Sequence, residues 1–358
     1  MYPSKKNIYR YTFKEDRLRS AIVCDMYFKD TQGKNGSRMM GNLCEYVRAE
    51  GRLDDSKIWR REPLYRGMNG RFVERFYPAK GQSCIFKPLT NGESIDREIW
   101  VYRHVLPFFP AIYPQMLATS GEGKGAAGWA IFEDLGALGH AYRLENALKV
   151  AQRMAWWHSL PAAEWSGLSM QGPKPGIEAI AAELFGPANE AAAVLSELGL
   201  GQPAGIFAAA RAARAGERFG GPRVLSHGDL HQGNYAVTDE GRLYILDWEH
   251  AHLSSPFWDL FHLIDMSHPM FAKRMTASDR ERILGEYLGQ ARLYGAEWER
   301  RAFVREYGSF AVLFALWMLL LIQSDLKRAE CVWPRERLLA QREETAANLA
   351  GCMVLMGS

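Results

Sequence analysis

The stretch Ser226–Ala251, SHGDLHQGNYAVTDEGRLYILDWEHA, sets two acids and an amide, Asp229, Asp247 and Asn234, around two short strand-like runs. NYAVT and RLYILD carry the β-branched and aromatic residues of strands, and DEG between them is a turn signal. A hairpin turning at Glu240-Gly241 pairs residues whose numbers sum to about 481, which sets Asn234 opposite Asp247. Directly opposed residues of an antiparallel pair share a face about 5 Å apart, and a slip of one residue would separate them. An amide oxygen beside a carboxylate suits a hard cation such as Mg2+, which binds through one or two carboxylates plus substrate phosphates. Asp229 stands in a loop loosened by Gly228 and Gly233, and a carboxylate there can orient or accept the proton of an attacking hydroxyl. Asp and Asn are ordinary turn residues, and each taken singly reads as structural. The joint pattern H-x-D-x-x-x-x-N, strand, turn, strand, D is much rarer, and the chemistry it suits is phosphoryl transfer.

Upstream, YRGMNGRFVERFYPAKGQSCIFK, Tyr65 to Lys87, reads as strands broken by turns at Gly67, Gly70 and Gly81. SIDREIWVYRHVLP predicts a helix capped by Ser94 or Asp96 and stopped near Pro107, and GWAIFEDLG predicts a buried strand running into a turn. Beyond Gly136 the pattern turns helical. Leu144, Leu148, Ala151, Ala155 and His158 share a face, residues 175–217 divide into about three short helices, and Ser278–Glu281 matches a capping box. Residues 1–60 are mixed, with Ile22–Phe28 either strand or helix end and KDTQGKNGSR a loop. The division expected is therefore an N-terminal extension over 1–60, a strand-rich part over 61–133 and a helical part over 134–358.

The chain has 358 residues, 47% of them hydrophobic, with a net charge of +3 and no Lys/Arg block, so nucleic acid is not a suggested partner. The run FAVLFALWMLLLI, Phe310–Ile322, is too short to span a bilayer and reads as a buried helix, so no membrane partner is expected. The polar start offers no signal peptide. Five scattered cysteines without a C-x-x-C fit reduced thiols in a cytoplasmic protein.

HGDLHQGN, His227–Asn234, and ILDWEHAHLSSPFWDL, Ile245–Leu260, resemble the catalytic loop and the metal-binding segment of the aminoglycoside phosphotransferase and choline kinase family, a branch of the protein-kinase-like superfamily. The resemblance implies an α+β fold in two lobes, a small lobe with a five-stranded antiparallel sheet and a large, mainly helical one. It implies transfer of the γ-phosphoryl group of ATP or GTP to a hydroxyl of a small molecule such as an aminoglycoside or another amine- or sugar-containing compound. Asp229 would be the catalytic aspartate, Asn234 and Asp247 would bind Mg2+, and Asp259 and His227 would brace the loop. Lys87 would grip the nucleotide phosphates with Glu98, or the rival Glu93, as its ion-pair partner. Phe132, Glu133 and Leu135 would lie in the segment that meets the nucleotide base. LYRGMNGRF resembles the phosphate-covering loop loosely.

A protein kinase fits less well. Gly228 replaces the usual Arg, only eleven residues separate Asp247 from Asp259, and Trp248 follows the metal aspartate. The insert at 161–222 lies where this branch builds its acceptor pocket. Glu249 and Asp265 could attract an amine, although Asp265 reads more simply as a solvated surface carboxylate. Trp156, Trp157, Trp248 and Trp258 could stack on a cation, with core packing the plainer role. Two alternatives remain open at this point: a pseudokinase-like nucleotide-binding module, and a metal-dependent hydrolase built on the crowded histidines His227, His231, His250, His252, His262 and His268.

Overall fold

The structure is a computed structural model and describes residues 42–357 except 68–69, 90–94, 121–127, 166, 187–189, 201–203, 215, 217–218, 220 and 329. Ile22–Phe28, the KDTQGKNGSR loop, Glu93, Ser94, Cys24 and the centre of the LYRGMNGRF turn lie outside the described residues. The described chain forms two compact units, one of residues 42–139 with 237–249, the other of 140–236 with 250–357.

The smaller unit is built on five strands, β1 (Arg60–Arg66), β2 (Phe72–Ala79), β3 (Gln82–Pro88), β4 (Met116–Thr119) and β5 (Trp129–Glu133). They form one sheet in the order β1-β2-β3-β5-β4, with every neighbouring pair antiparallel. Gly81, in left-handed backbone, turns β2 into β3. Side chains alternate between the faces of a strand. Cys84 and Phe86 of β3 therefore join Phe76, Trp129, Ile131, Leu43 and Leu53 in one apolar core. Phe132, next along β5, meets Tyr102 of helix α1 (Ile95–His104) with ring centroids 5.3 Å apart. Lys87 is only partly buried, and its ammonium reaches a residue of the same helix. β3 ends at Pro88, which can still pair at the strand end although it offers no N–H.

The larger unit carries helices α2 (Leu144–His158), α3 (Ile177–Leu184), α4 (Ala191–Glu197), α5 (Ala204–Arg214), α6 (Pro256–Ile264), α7 (Ala277–Leu293), α8 (Arg300–Lys327) and α9 (Arg335–Met356). The alanine-rich segment does divide into three short helices, α3 to α5. α7 opens two residues earlier than its capping box suggested: the Thr276 hydroxyl accepts the N–H of Asp279 at 3.0 Å. T-x-x-D thus supplies the cap, because Thr276 holds the extended backbone that a cap requires and Ser278 is already helical. Strand β6 (Val224–Ser226) pairs antiparallel with β9 (His252–Ser254) and leads directly into the HGD segment.

The apolar run Phe310–Ile322 is the centre of α8, a helix of 28 residues, which by length and composition alone is long enough to cross a membrane. The expectation of a segment too short to do so is corrected on that point, because polar ends extend the helix beyond the run. Phe310 to Leu316 are buried within the unit, as the reading of a core helix required. Gly308 explains how closely α8 approaches α9: a Cβ there would press on Leu355 and on the backbone of Cys352 and Met356. Alanine forms helices better than glycine by about 1 kcal/mol. The crowding should nevertheless dominate, so Gly308→Ala is expected to lower stability by about 1–3 kcal/mol in urea unfolding.

Candidate active site

In the smaller unit one ammonium faces three carboxylates. Lys87 Nζ lies 2.9 Å from Glu98 Oε2, 2.7 Å from Asp247 Oδ1 and 3.8 Å from Glu249 Oε2. Burial alone would lower the Lys87 pKa, but Asp247, Glu98 and Glu249 outweigh it and raise it well above the ordinary value. The Glu98 carboxyl is raised, by burial first, with Lys87 pulling the other way. Each of Glu98, Asp247 and Glu249 offers an oxygen within 4.8 Å of the others. Three acids against one lysine leave a surplus of negative charge, and oxygen donors in surplus suit a hard divalent cation. Asp247 is reached through strand β8 (Leu243–Ile245) and is the only non-glycine among the described residues with a left-handed backbone, at φ 61°. Next to it Trp248 is fully buried, its indole N–H donating to Ile245 O at 3.2 Å.

The hairpin register differs from the expectation. The Thr238 N–H donates to Arg242 O at 2.9 Å, a pairing that sums to 480 and not 481. Neither supposed partner lies on a ladder in any case. Asn234 closes a 3-10 turn before strand β7 (Tyr235–Val237), and Asp247 follows the end of β8. The strands are only three residues long, so pleat parity cannot be carried out to their flanks.

In the larger unit the HGD segment is held by one buried acid. Asp259 accepts from Ser226 Oγ at 2.6 Å, from the His227 N–H at 2.8 Å and from the Gly228 N–H at 3.1 Å, and His158 Nε2 lies 3.3 Å away. Ser255 caps α6 and Pro256 occupies its first turn, which places Asp259 near the helix N-terminus, where a negative charge is favoured. Burial would raise the Asp259 pKa, but the hydrogen bond from His158 and the other donors hold it far below the carboxylate range. Gly228 has φ 91°, and a side chain there would run into the His250 carbonyl oxygen, so neither Arg nor any other side chain fits. His227 Nδ1 accepts the Asp229 N–H at 3.3 Å, and the Asn234 amide donates to Asp229 O at 2.8 Å. That donation leaves Oδ1 as the acceptor end of Asn234.

The Asp229 carboxylate meets a group that the sequence reading missed. Lys174 Nζ is 2.9 Å from Asp229 Oδ1, while His231 Nε2 and His262 Nε2 lie at 3.5 Å and 3.8 Å from the same carboxylate. Burial would raise the Asp229 pKa, but the charge of Lys174, with His231 next in effect, depresses it far more. Lys174 lies in GPKPG, which carries no motif, so the only signal was a lysine held between two prolines in the insert.

The remaining expected residues are placed as follows. Glu133 exchanges hydrogen bonds with Gln115, its N–H going to Gln115 O at 2.9 Å and its Oε1 accepting the Gln115 N–H at 2.8 Å. That amide is not available to a nucleotide base. Phe132 is buried and Leu135 half-buried, and Asp134 between them binds Arg75 at 2.6 Å. Asp265 is neither a solvated surface acid nor an amine attractor. It is fully buried, pairs with Arg280 at 2.6 Å and accepts the Tyr307 hydroxyl at 2.6 Å. Trp157, Trp248 and Trp258 are core residues. Among the described residues the carboxylate trio is the only convergent group of three or more His, Cys, Asp or Glu, so the crowded histidines make no zinc site there. None of the described cysteines is in a disulfide.

The phosphotransferase enzyme family model matches residues 86–304, well over half of the chain. The chain belongs to the phosphotransferase enzyme family. As a small-molecule phosphotransferase it is an enzyme, and the metal-dependent hydrolase alternative is set aside. Solved structures share its fold at low identity. A spectinomycin phosphotransferase in complex with ADP and spectinomycin is 14% identical, with TM-score 0.53 over 83% of this chain and 94% of that one. The amicoumacin kinase hAmiN in complex with AMP-PNP, Ca2+ and Ami is 13% identical, with TM-score 0.53 over 93% and 96%. A choline/ethanolamine kinase family protein from Mesorhizobium loti is 17% identical, with TM-score 0.51 over 85% and 90%. No curated protein sequence matches the chain.

Asp259 supports a pH test. Its folded-state pKa lies below the ordinary value of about 3.9, so its contribution is complete above that value and is lost as pH falls towards the folded pKa. Asp259→Asn is expected to be less stable than the parent at pH 7, with the gap narrowing as urea unfolding is repeated below about pH 4.

Proposed function

We infer that this phosphotransferase moves the γ-phosphoryl group of ATP or GTP to a hydroxyl of a small molecule, with Mg2+ as cofactor. The observation that carries this is the Lys87–Glu98 pair joined by Asp247 within a chain of this family. Nucleotides in the related spectinomycin phosphotransferase and amicoumacin kinase structures support the choice of donor.

In this reading Lys87 orients the α- and β-phosphates and Glu98 holds Lys87 in place. Asn234 and Asp247 are the residues that would hold Mg2+, which supplies charge neutralisation on the phosphates. The carboxylate surplus around Lys87 and the free acceptor end of Asn234 fit such an ion. Phe132–Leu135 would line the base, by main-chain groups other than the Glu133 N–H. Asp229, kept ionised by Lys174, would align the acceptor hydroxyl. The hydroxyl oxygen forms a bond to the γ-phosphorus, the bond from that phosphorus to the bridging oxygen breaks, and the nucleoside diphosphate leaves. The hydroxyl proton passes to the Asp229 carboxylate. Positioning and charge account for most of the acceleration.

Asp247→Ala is expected to abolish Mg2+-dependent ATP binding measured by calorimetry, and binding equal to the parent's would sink the assignment. Asp229→Asn should keep nucleotide binding and lose about 10²–10⁴ in kcat, as removal of a positioned base does. Retention of full turnover in that variant would remove Asp229 from its role.

A further inference from the structure

The larger unit contains a cavity of about 270 Å3 that begins at Asp229 and Lys174. Its lining is mixed, with Met266, Met318, Leu321 and Trp333 giving an apolar side and His231, Ser267 and Gln341 a polar one. It is smaller than the ~300–1,000 Å3 that hold drug-sized ligands. Only two carboxylates line it among the described residues, Asp229 and Asp325. Asp229 is held by Lys174 at 2.9 Å, whereas Asp325 has only an exposed pair with Arg328 at 3.0 Å.

Lys174 is not a loosely placed surface lysine. Pro173 and Pro175 fix their own φ angles and push Gly172 and Lys174 towards extended backbone. Gly172 sits where a Cβ would collide with the His252 ring, so the loop is seated closely on β9. His262 Nδ1 lies 2.7 Å from Trp258 O, and burial holds the ring neutral, its pKa pushed down to about 3. The ring therefore donates from Nδ1 and accepts at Nε2, where Lys174 Nζ stands 3.3 Å away. The ammonium is fixed by two acceptors beside the point where the acceptor hydroxyl would sit.

We propose that the acceptor is a small hydroxyl compound with an apolar body and no cationic group, neutral or singly anionic, and that Lys174 is the residue that determines this choice. The inference rests on the phosphotransfer reading above. An ammonium-bearing acceptor meets Lys174 on Asp229, the lining carboxylate nearest the reacting hydroxyl. A hydroxyl compound bearing a carboxylate can share Lys174 with Asp229, and an uncharged one can pack on the apolar side of the lining.

The test uses the full chain with Mg2+ and ATP and measures ADP release with three acceptor sets: uncharged aliphatic and aromatic alcohols, hydroxycarboxylates, and aminoglycosides bearing several ammonium groups. kcat/KM for a member of the first two sets should exceed that for every aminoglycoside by about a hundredfold or more, a margin that pocket chemistry can supply. Lys174→Met should narrow that gap. Met318→Trp, at a half-buried position, should fill the cavity and raise the acceptor KM by about tenfold or more, while ATP binding measured without acceptor is unchanged. Aminoglycosides used as well as the uncharged alcohols, or an unaltered KM in a folded Met318→Trp protein, would overturn the inference and leave the kinase reading standing. Absence of Mg2+-dependent ATP binding in the parent overturns the kinase reading itself, and this inference with it.

Discussion

A single lysine opposed to three acids is the constraint from which the smaller unit can be understood. Lys87 and Glu98 are both removed from most of the solvent, and burying a charge is costly unless it is paired. Pairing them satisfies that condition. The further approach of Asp247 and Glu249 does not, because it adds like charge to a site already neutral. A packing argument would replace those acids with apolar residues of similar volume. Their presence makes sense when another cation enters, and the oxygen-only donor set selects a hard one. The five-stranded sheet serves this arrangement. Alternation along β3 sends Phe86 into the core and leaves Lys87 to reach Glu98 of α1, and the antiparallel register with β5 keeps the strand from slipping.

The larger unit solves a different problem, which is to hold a loop still without regular hydrogen bonding. Backbone N–H groups outside helices and sheets need partners when buried. Asp259 supplies them to His227 and Gly228 together, and its own charge is compensated by Ser226, by His158 and by its position at the start of α6. Pairing of β6 with β9 carries the chain to that point from one side, and the Trp258 indole N–H, bonded to Gly228 O at 2.8 Å, fastens it from the other. A reacting carboxylate needs this kind of support, since small misplacements are costly in positional catalysis.

The parts legible in the sequence are those whose signals are local. HGDLHQGN and the DW segment are contiguous, the alternation in CIFK marks a strand, and a helix after it puts Glu98 within reach of Lys87. Legibility fails where the decisive neighbour is distant along the chain. Lys174 reaches Asp229 across 55 residues with no motif of its own. Asp265 looked solvent-facing because a lone acid usually is, and Arg280 and Tyr307, both further along the chain, help to make its burial tolerable. The hairpin register failed for another reason. Turn composition places a hairpin within a residue or so, and the parity argument needed an accuracy that composition does not carry.

Backbone strain is the last feature that the letters conceal. Asp247 occupies the left-handed region, which costs a non-glycine residue about 1–3 kcal/mol and persists only where the surroundings over-determine it. Here they do: Trp248 is buried against Phe109, with ring centroids 5.2 Å apart, and the Ile245 N–H is bonded to Ile112 O. Aspartate tolerates this conformation better than a branched residue would, so the position asks for a short polar side chain on conformational grounds as well as chemical ones. Gly228, also left-handed, adjoins Asp229 in the other unit. In each unit the acid of interest therefore lies at or beside a point where the chain departs from regular structure. A strand end alone would aim these carboxylates according to the pleat, whereas a left-handed residue frees their direction from it.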